Sequence, residues 1–258
     1  MPDGSIHVPY PDADDLHLQI ALGACRFEAR PGGEEPWVAG TWYDPTGERA
    51  PTFPGESGKV LFTETNLAWE RIPAVFGGVP RYEVALGKDK DRPFALTIET
   101  GASEFDLDLG GVPLKALTVR HGAGRFELDF SAPNPQPMSV LEVSSGAAGM
   151  DLENLANANF SRMRLSGGAA GYEIDFGGVL SRPAEVVLET GLSGVEIAVP
   201  GTTAAMIVAE TTLGTVDRAD GFTISEDAFW TVAAMAGQKP LLTIRAGVRM
   251  GALQIKAT

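Results

Sequence analysis

A short phrase is written five times between residues 96 and 199, and its spacing constrains the fold more than any other feature of the chain. Leu96-Thr-Ile-Glu-Thr-Gly101-Ala-Ser-Glu-Phe105-Asp-Leu107-Asp-Leu109 returns as Leu117-Thr-Val-Arg-His-Gly122-Ala-Gly-Arg-Phe126-Glu-Leu128-Asp-Phe130, and again around Gly146, Gly168 and Gly191. Apolar residues stand five and three before each glycine, as in Leu96/Ile98 and Val186/Leu188. They stand again four and six after it, as in Phe105/Leu107, Met150/Leu152, Tyr172/Ile174 and Val195/Ile197. Alternation with period two makes each half a strand with one buried face. The glycine, followed by small residues, predicts a tight corner with positive φ. Successive glycines lie 21, 24, 22 and 23 residues apart. A unit this short cannot bury its own apolar face, but stacked copies can. The predicted fold is therefore all-β: a β-solenoid of strand-corner-strand rungs of about 22 residues, with Phe105, Phe126, Met150 and Tyr172 in one inner column.

The flanks fit less regularly. Leu16–Ala29 matches the phrase about Gly23, and the 78 residues from Gly23 to Gly101 leave room for roughly three more rungs. The candidate strands there, Lys59–Leu67 and Arg81–Leu86, lack the glycine. Residues 1–14 read as a tail or edge loop. Trp37, Trp42, Tyr43 and Trp69 fall in this part, so residues 1–93 form an irregular β section, read as continuous with the repeat of 94–258. A separate small domain ending near Pro93 is the competing reading. After Gly191 the phrase decays, and Ile207–Val216 carries Thr212 in the glycine's place. Ser225–Gly237 has the punctuation of a short helix, with a strand through Trp230–Val232 as the alternative. Leu242–Ile255 reads as the last rung, centred on Gly247.

These residues resemble the bacterial toast-rack family, whose β-solenoid domains are described as "putative adhesins" or close cell-envelope stress-response proteins related to LiaF. Residues 94–258 carry the resemblance most clearly and 15–93 more loosely. It implies a fold and an envelope setting, and the family supplies no catalytic residues to carry over.

Charge and motifs narrow the function further. The net charge of −14 opposes nucleic acid, which needs a basic footprint. No apolar run reaches the ~18 residues of a transmembrane helix, and the first residues lack the basic and apolar regions of a signal peptide. Whether the chain sits in the cytoplasm or, as part of a longer protein, at the envelope is left open. The single cysteine, Cys25, reads as a passive small side chain, and His7, His17 and His121 read as solvent-exposed rather than as metal ligands. No hydrolase, zinc-protease or phosphate-loop pattern occurs, so neither a catalytic residue, a metal nor a cofactor is expected.

One pattern stands out. Outward positions of the second strand are acidic in unit after unit: Asp106, Glu127, Asp151, Glu173, Glu196 and Asp217 in one column, and Asp108, Asp129, Glu153 and Asp175 in the next. The plain reading is a solvated face that discourages edge pairing. The sharper one is a surface for a basic protein partner or for Ca²⁺; a straight ladder favours the partner. The leading functional reading is thus a non-enzymatic interaction module acting through protein contacts. A carbohydrate-active or carbohydrate-binding β-helix protein, using the acids and N-terminal aromatics, is the alternative, and a passive spacer a third.

Overall fold

The computed structural model describes residues 3–47, 49–64, 78–218 and 220–258; Trp69 and the end of the expected Lys59–Leu67 strand lie outside them. The N-terminal section contains β1 (Asp3–Val8), β2 (Leu16–Leu22), β3 (Arg26–Pro31), β4 (Val38–Tyr43), β5 (Pro51–Thr52), β6 (Gly55–Glu56), β7 (Lys59–Glu64) and β8 (Arg81–Leu86). The clear repeats form β9 (Phe94–Asp108), β10 (Leu114–Asp129), β11 (Leu141–Glu153), β12 (Arg162–Gly167), β13 (Ala170–Asp175) and β14 (Ala184–Val199). The chain closes with β15 (Ala205–Arg218), β16 (Phe222–Ser225), β17 (Ala228–Thr231), the one-turn helix α1 (Val232–Met235) and β18 (Leu242–Ala257). The protein is all-β.

The five phrases lie side by side, parallel and in register. Leu117 pairs with Leu96 and Leu141, Phe126 with Phe105 and Met150, and Met150 in turn with Tyr172. Phe105, Phe126, Met150 and Tyr172 are all buried, as are Leu107, Leu128, Leu152, Ile174 and Ile197. The aromatic column extends into the N-terminal section: Phe27 stacks on Phe105 at 4.8 Å and Phe105 on Phe126 at 6.1 Å, while Tyr82 leans on Phe27 at 6.4 Å. Offset aromatic stacks of this kind add to the burial of their area.

The role of the repeated glycine differs from the expected one. None of Gly101, Gly122, Gly146, Gly168 and Gly191 has positive φ, and β9, β10, β11 and β14 run straight through theirs. The glycines are needed because the units approach so closely. A Cβ on Gly122 would lie 2.7 Å from the carbonyl oxygen of Gly101, and one on Gly146 or Gly168 would lie 2.5 Å from that of the glycine before it. The corner is a slip in alternation: in β10 the buried positions Leu117, Val119 and His121 give way to Phe126 and Leu128.

That slip turns an unexpected side chain inward. His121, read as exposed, is 2 % accessible, because the inward phase continues to the residue just before the glycine. Its Nδ1 lies 2.7 Å from Thr100 Oγ1, which accepts from Ser103 at 2.8 Å. The rings of Phe105 and Phe126 flank it. Other units place small polar groups at the same bend: Ser193 donates to Thr190 at 2.6 Å, and Ser145 pairs with the Tyr172 hydroxyl at 2.8 Å.

Burial holds the His121 imidazole below its ordinary value of 6.5. The unfolded chain therefore binds this proton more readily than the folded one, so the neutral ring's contribution is complete above pH 6.5 and falls as pH drops towards the folded value. Thermal melts of wild type and His121→Gln should diverge in slope below that pH, with the wild type losing melting temperature faster. Parallel curves would mean the ring escapes burial before it titrates.

Both ends of the sheet depart from sequence order. At the N-terminal end, β2 and β3 pair with β9 on one side and with β7 and β8 on the other. Thus β7 and β8 are the two halves of one outer unit, where room for about three was expected. The remaining segments cap it: β5 and β6 pair antiparallel with β7, β4 with β8, and β1 with β4. The first residues therefore hold a strand rather than a loose tail. At the other end β18 pairs with β14 and, on its far side, with β15. The last strand in sequence is consequently one in from the edge. Its register puts Leu188 against Ala246 and Val195 against Leu253, so Arg249, not Gly247, is level with Gly191. The same register puts Leu253 in the column of Phe126, Met150 and Tyr172.

Ser225–Gly237 forms a hairpin followed by one helical turn, not a helix throughout. Glu226 and Asp227 both take positive φ, 53° and 58°, and join β16 to β17 as a two-residue turn. Acidic residues that resemble a helix start serve here as turn formers. Thr231 then caps α1, its hydroxyl accepting from Ala234 N at 3.3 Å.

Candidate functional site

The acidic ladder lies on the second half of the units, where parallel register fixes which carboxylates adjoin. Glu127 pairs with Asp106 and Asp151, Asp151 with Glu173, and Glu173 with Glu196. In the next column Asp129 pairs with Asp108 and Glu153. None of these side chains is buried. Asp217 does not follow Glu196 directly, because β18 places Gln254 between them. Two further acids join the column from the N-terminal section: Glu28 pairs with Asp106, and Glu83 with Glu28. Only the fold brings these together, since β8 precedes β9 in sequence but lies two units away.

Basic side chains answer part of this charge. Arg30 grips Asp106 through two contacts of 3.0 and 2.6 Å. Arg125 reaches both Glu127 and Asp151, the latter at 3.0 Å, and Lys256 meets Glu196 at 2.6 Å. Exposed pairs of this kind contribute little stability each, but they divide the ladder. Among the described residues no ion pair reaches Glu153 or Glu173, which leaves the middle as the most negative stretch. Partial burial, then the charges of Asp129 and Asp175, raise the Glu153 carboxyl above its usual range.

Much of the second column has a structural task. Asp108 accepts from Gly110 N at 2.8 Å and from the Ser131 hydroxyl at 2.7 and 2.8 Å. Asp129 accepts from Asn154 Nδ2 at 2.8 Å, and Asp175 from Gly177 N at 3.0 Å. These carboxylates tie down the return segments, together with buried Asn134 and Asn157, whose amides donate to the carbonyls of Leu114 and Phe130 at 2.8 and 2.9 Å. The sequence signal for that role was an acid at the exits of β9, β10 and β13 and an asparagine after β11. Among the described residues no group of three or more His, Cys, Asp or Glu side chains is arranged to hold a metal ion.

The other candidates separate cleanly. Trp37 is fully buried, stacked on Tyr10 at 5.6 Å and edge-on to Phe94 at 5.3 Å. Trp42 is half-buried against the core, and Tyr43 is exposed. His7 is exposed, whereas His17 is half-buried and lies 2.9 Å from Thr97 Oγ1. Cys25 is buried, and burial pushes its thiol up, away from reactivity. Sequence reasoning missed the buried carboxylates of Asp44 and Glu64; the latter accepts from the Tyr82 hydroxyl at 3.1 Å.

Residues 2–140 match the family described as the N-terminal domain of toast_rack, DUF2154. The chain belongs to this family. The match takes in the irregular N-terminal section, which the repeated phrase describes least well, and runs on into the first regular units. No curated protein matches the chain. Among solved structures, a "putative cell adhesion protein" from Clostridium sporogenes ATCC 15579 aligns over 99% of both chains at 14% identity, with a TM-score of 0.50. A "putative adhesin" from Bacteroides fragilis NCTC 9343 aligns over 99% of this chain and 96% of its own, at 7% identity and a TM-score of 0.39. At 14% identity the likeness to the first is one of fold. Within this toast-rack chain no described helix is long and apolar enough to cross a membrane.

Proposed function

We propose that this toast-rack chain is a non-enzymatic interaction module that meets a basic protein partner through its acidic face, at the bacterial cell envelope. In this reading the fold is a β-solenoid of rungs of about 22 residues, with 1–93 and 94–258 forming one continuous body. The pairing of β9 with both β2 and β3 supports that continuity. The observation that carries the functional reading is the unbroken column from Glu83 and Glu28 through Asp106, Glu127, Asp151 and Glu173 to Glu196, only partly neutralised by Arg30, Arg125 and Lys256. Like charges on adjacent strands repel, and a cationic surface relieves them all at once. Among the described aromatics of the carbohydrate reading, Trp37 is buried and Trp42 is half-buried on the core, which leaves Tyr43 as its exposed ring.

Two measurements test this. Melting temperatures in CaCl₂ and in NaCl of matched ionic strength should shift equally, as screening requires. A saturable shift seen only with Ca²⁺, and lost in Asp151→Asn with Glu173→Gln, would point to an ion site instead. A lysine-rich peptide should bind with strong salt dependence and weaken about tenfold in that double variant. Unchanged peptide affinity would remove the acidic face from the function.

A further inference from the structure

Each end of the sheet has two half-units that need covering: both are covered at the N-terminal end, but only part of one at the C-terminal end. At the N-terminal end β5 and β6 lie on β7, and β4 lies on β8. At the C-terminal end β17 pairs with Met206 and Ile207 at the start of β15. From Val208 to Asp217, no strand among the described residues pairs with the outer side of β15. The core is open there too. Ala209 and Val216 are only half-buried, while their partners one strand in, Ala246 and Leu253, are 4% and 0% accessible. An open ladder edge backed by apolar surface is what natural sheets ordinarily avoid.

The side chains beside this edge change character. In the column just after the glycine, Ala102, Ala123 and Ala147 pair in the regular units. The same column continues as Leu192, Met250 and Leu213, which are 59%, 48% and 62% exposed. Among the described residues of this column, large apolar side chains thus replace alanine where it runs out to the open edge.

Charge decides the occupant. Residues 201–258 contain five basic and five acidic side chains, so the whole net charge of −14 resides in residues 1–200. A strongly basic partner has no preference for this neutral end. Two copies of the chain repel each other over most of their surfaces, but not here. We propose that the outer edge of β15 is a homodimer interface, in which a second copy pairs its own β15 antiparallel about a two-fold axis perpendicular to the sheet. Such an interface is self-complementary, completes the free ladder and brings Leu213 of both copies onto one face, extending the Leu192–Met250–Leu213 column. It uses a different surface from the acidic face and stands or falls independently of it.

Sedimentation of the full chain across a range of about 1–100 μM should show the mass rising from 27.2 kDa towards twice that value. Leu213→Lys combined with Thr215→Lys, both at exposed positions, should weaken association by about tenfold or more, as lysines on an edge strand do. Val179→Lys, at a residue that is also 62% exposed but far from the edge, should leave it unchanged. A thermal melt establishes that each variant is folded. Should the lysine pair fail to fold, amide exchange of wild-type residues 209–217 decides the matter, since protection must rise with concentration in a dimer. A monomer at every concentration, a dimer indifferent to the lysine pair, or protection independent of concentration would each overturn the proposal.

Discussion

Gly124→Ala should destabilise the protein by about 2–6 kcal/mol, because two independent costs meet at one residue. Gly124 has φ of 114°, and a Cβ there would lie 2.1 Å from the carbonyl oxygen of Ser103 on the adjoining strand. Positive φ costs a side-chain-bearing residue roughly 1–3 kcal/mol. Forcing extra bulk into a packed site costs about as much again. The atom in the way is backbone, so it can yield only if β9 and β10 separate. Gly149, on the next strand and level with Arg125, provides the contrast: nothing lies within 4 Å of its added Cβ, and its φ is not positive. Gly149→Ala should range from neutral to about 1 kcal/mol stabilising, through the unfolded chain. Urea unfolding of the two variants checks the difference. Similar midpoints would show that the units adjust their spacing easily, and that close approach is not why glycine stands there.

Phe126→Ala should cost about 3–5 kcal/mol, the usual range for removing a buried aromatic side chain. The ring is fully buried, stacked 6.1 Å from Phe105 and tilted against His121 at 5.5 Å. Register with Phe105 below and Met150 above leaves neighbours that are themselves held by their own strands, so the cavity cannot collapse. For a chain of this size the loss corresponds to roughly 2–4 °C of melting temperature per kcal/mol. Phe126→Met, which copies the residue one unit on, should lose only about 1.5 kcal/mol or less, since volume is nearly conserved. If the alanine and methionine variants melt together, the column is not tightly packed.

Much of this molecule was legible in its residues because the decisive signals are local. Alternation with period two assigned Leu107, Leu128, Leu152, Ile174 and Ile197 to the core and the acids beside them to the surface, and both assignments hold in the fold. The phrase also gave the column of glycines, although the reason proved to be contact between strands rather than backbone dihedral. His121 was misjudged because the point at which alternation slips was placed one residue too early. Ser225–Gly237, read as a short helix or a strand through Trp230–Val232, holds part of each, because Ser-Glu-Asp can begin a helix or turn a hairpin and the choice rests on whether β15 is available to pair with β17.

What only the tertiary structure decided is the order of units at the two ends and everything that follows from it. At both ends the parallel partners are not neighbours in sequence, and a backbone ladder reads no side-chain code. Nothing local therefore says that β18 lies between β14 and β15, or that β2 and β3 lie between β9 and the outer pair β7 and β8. Those two insertions add Glu28 and Glu83 to the acidic column, divide Asp217 from Glu196, and make β15 rather than the last strand the open edge. The alternation within each strand is set by its own residues, whereas the neighbour that a strand acquires is set by which edge remains unpaired when the chain returns.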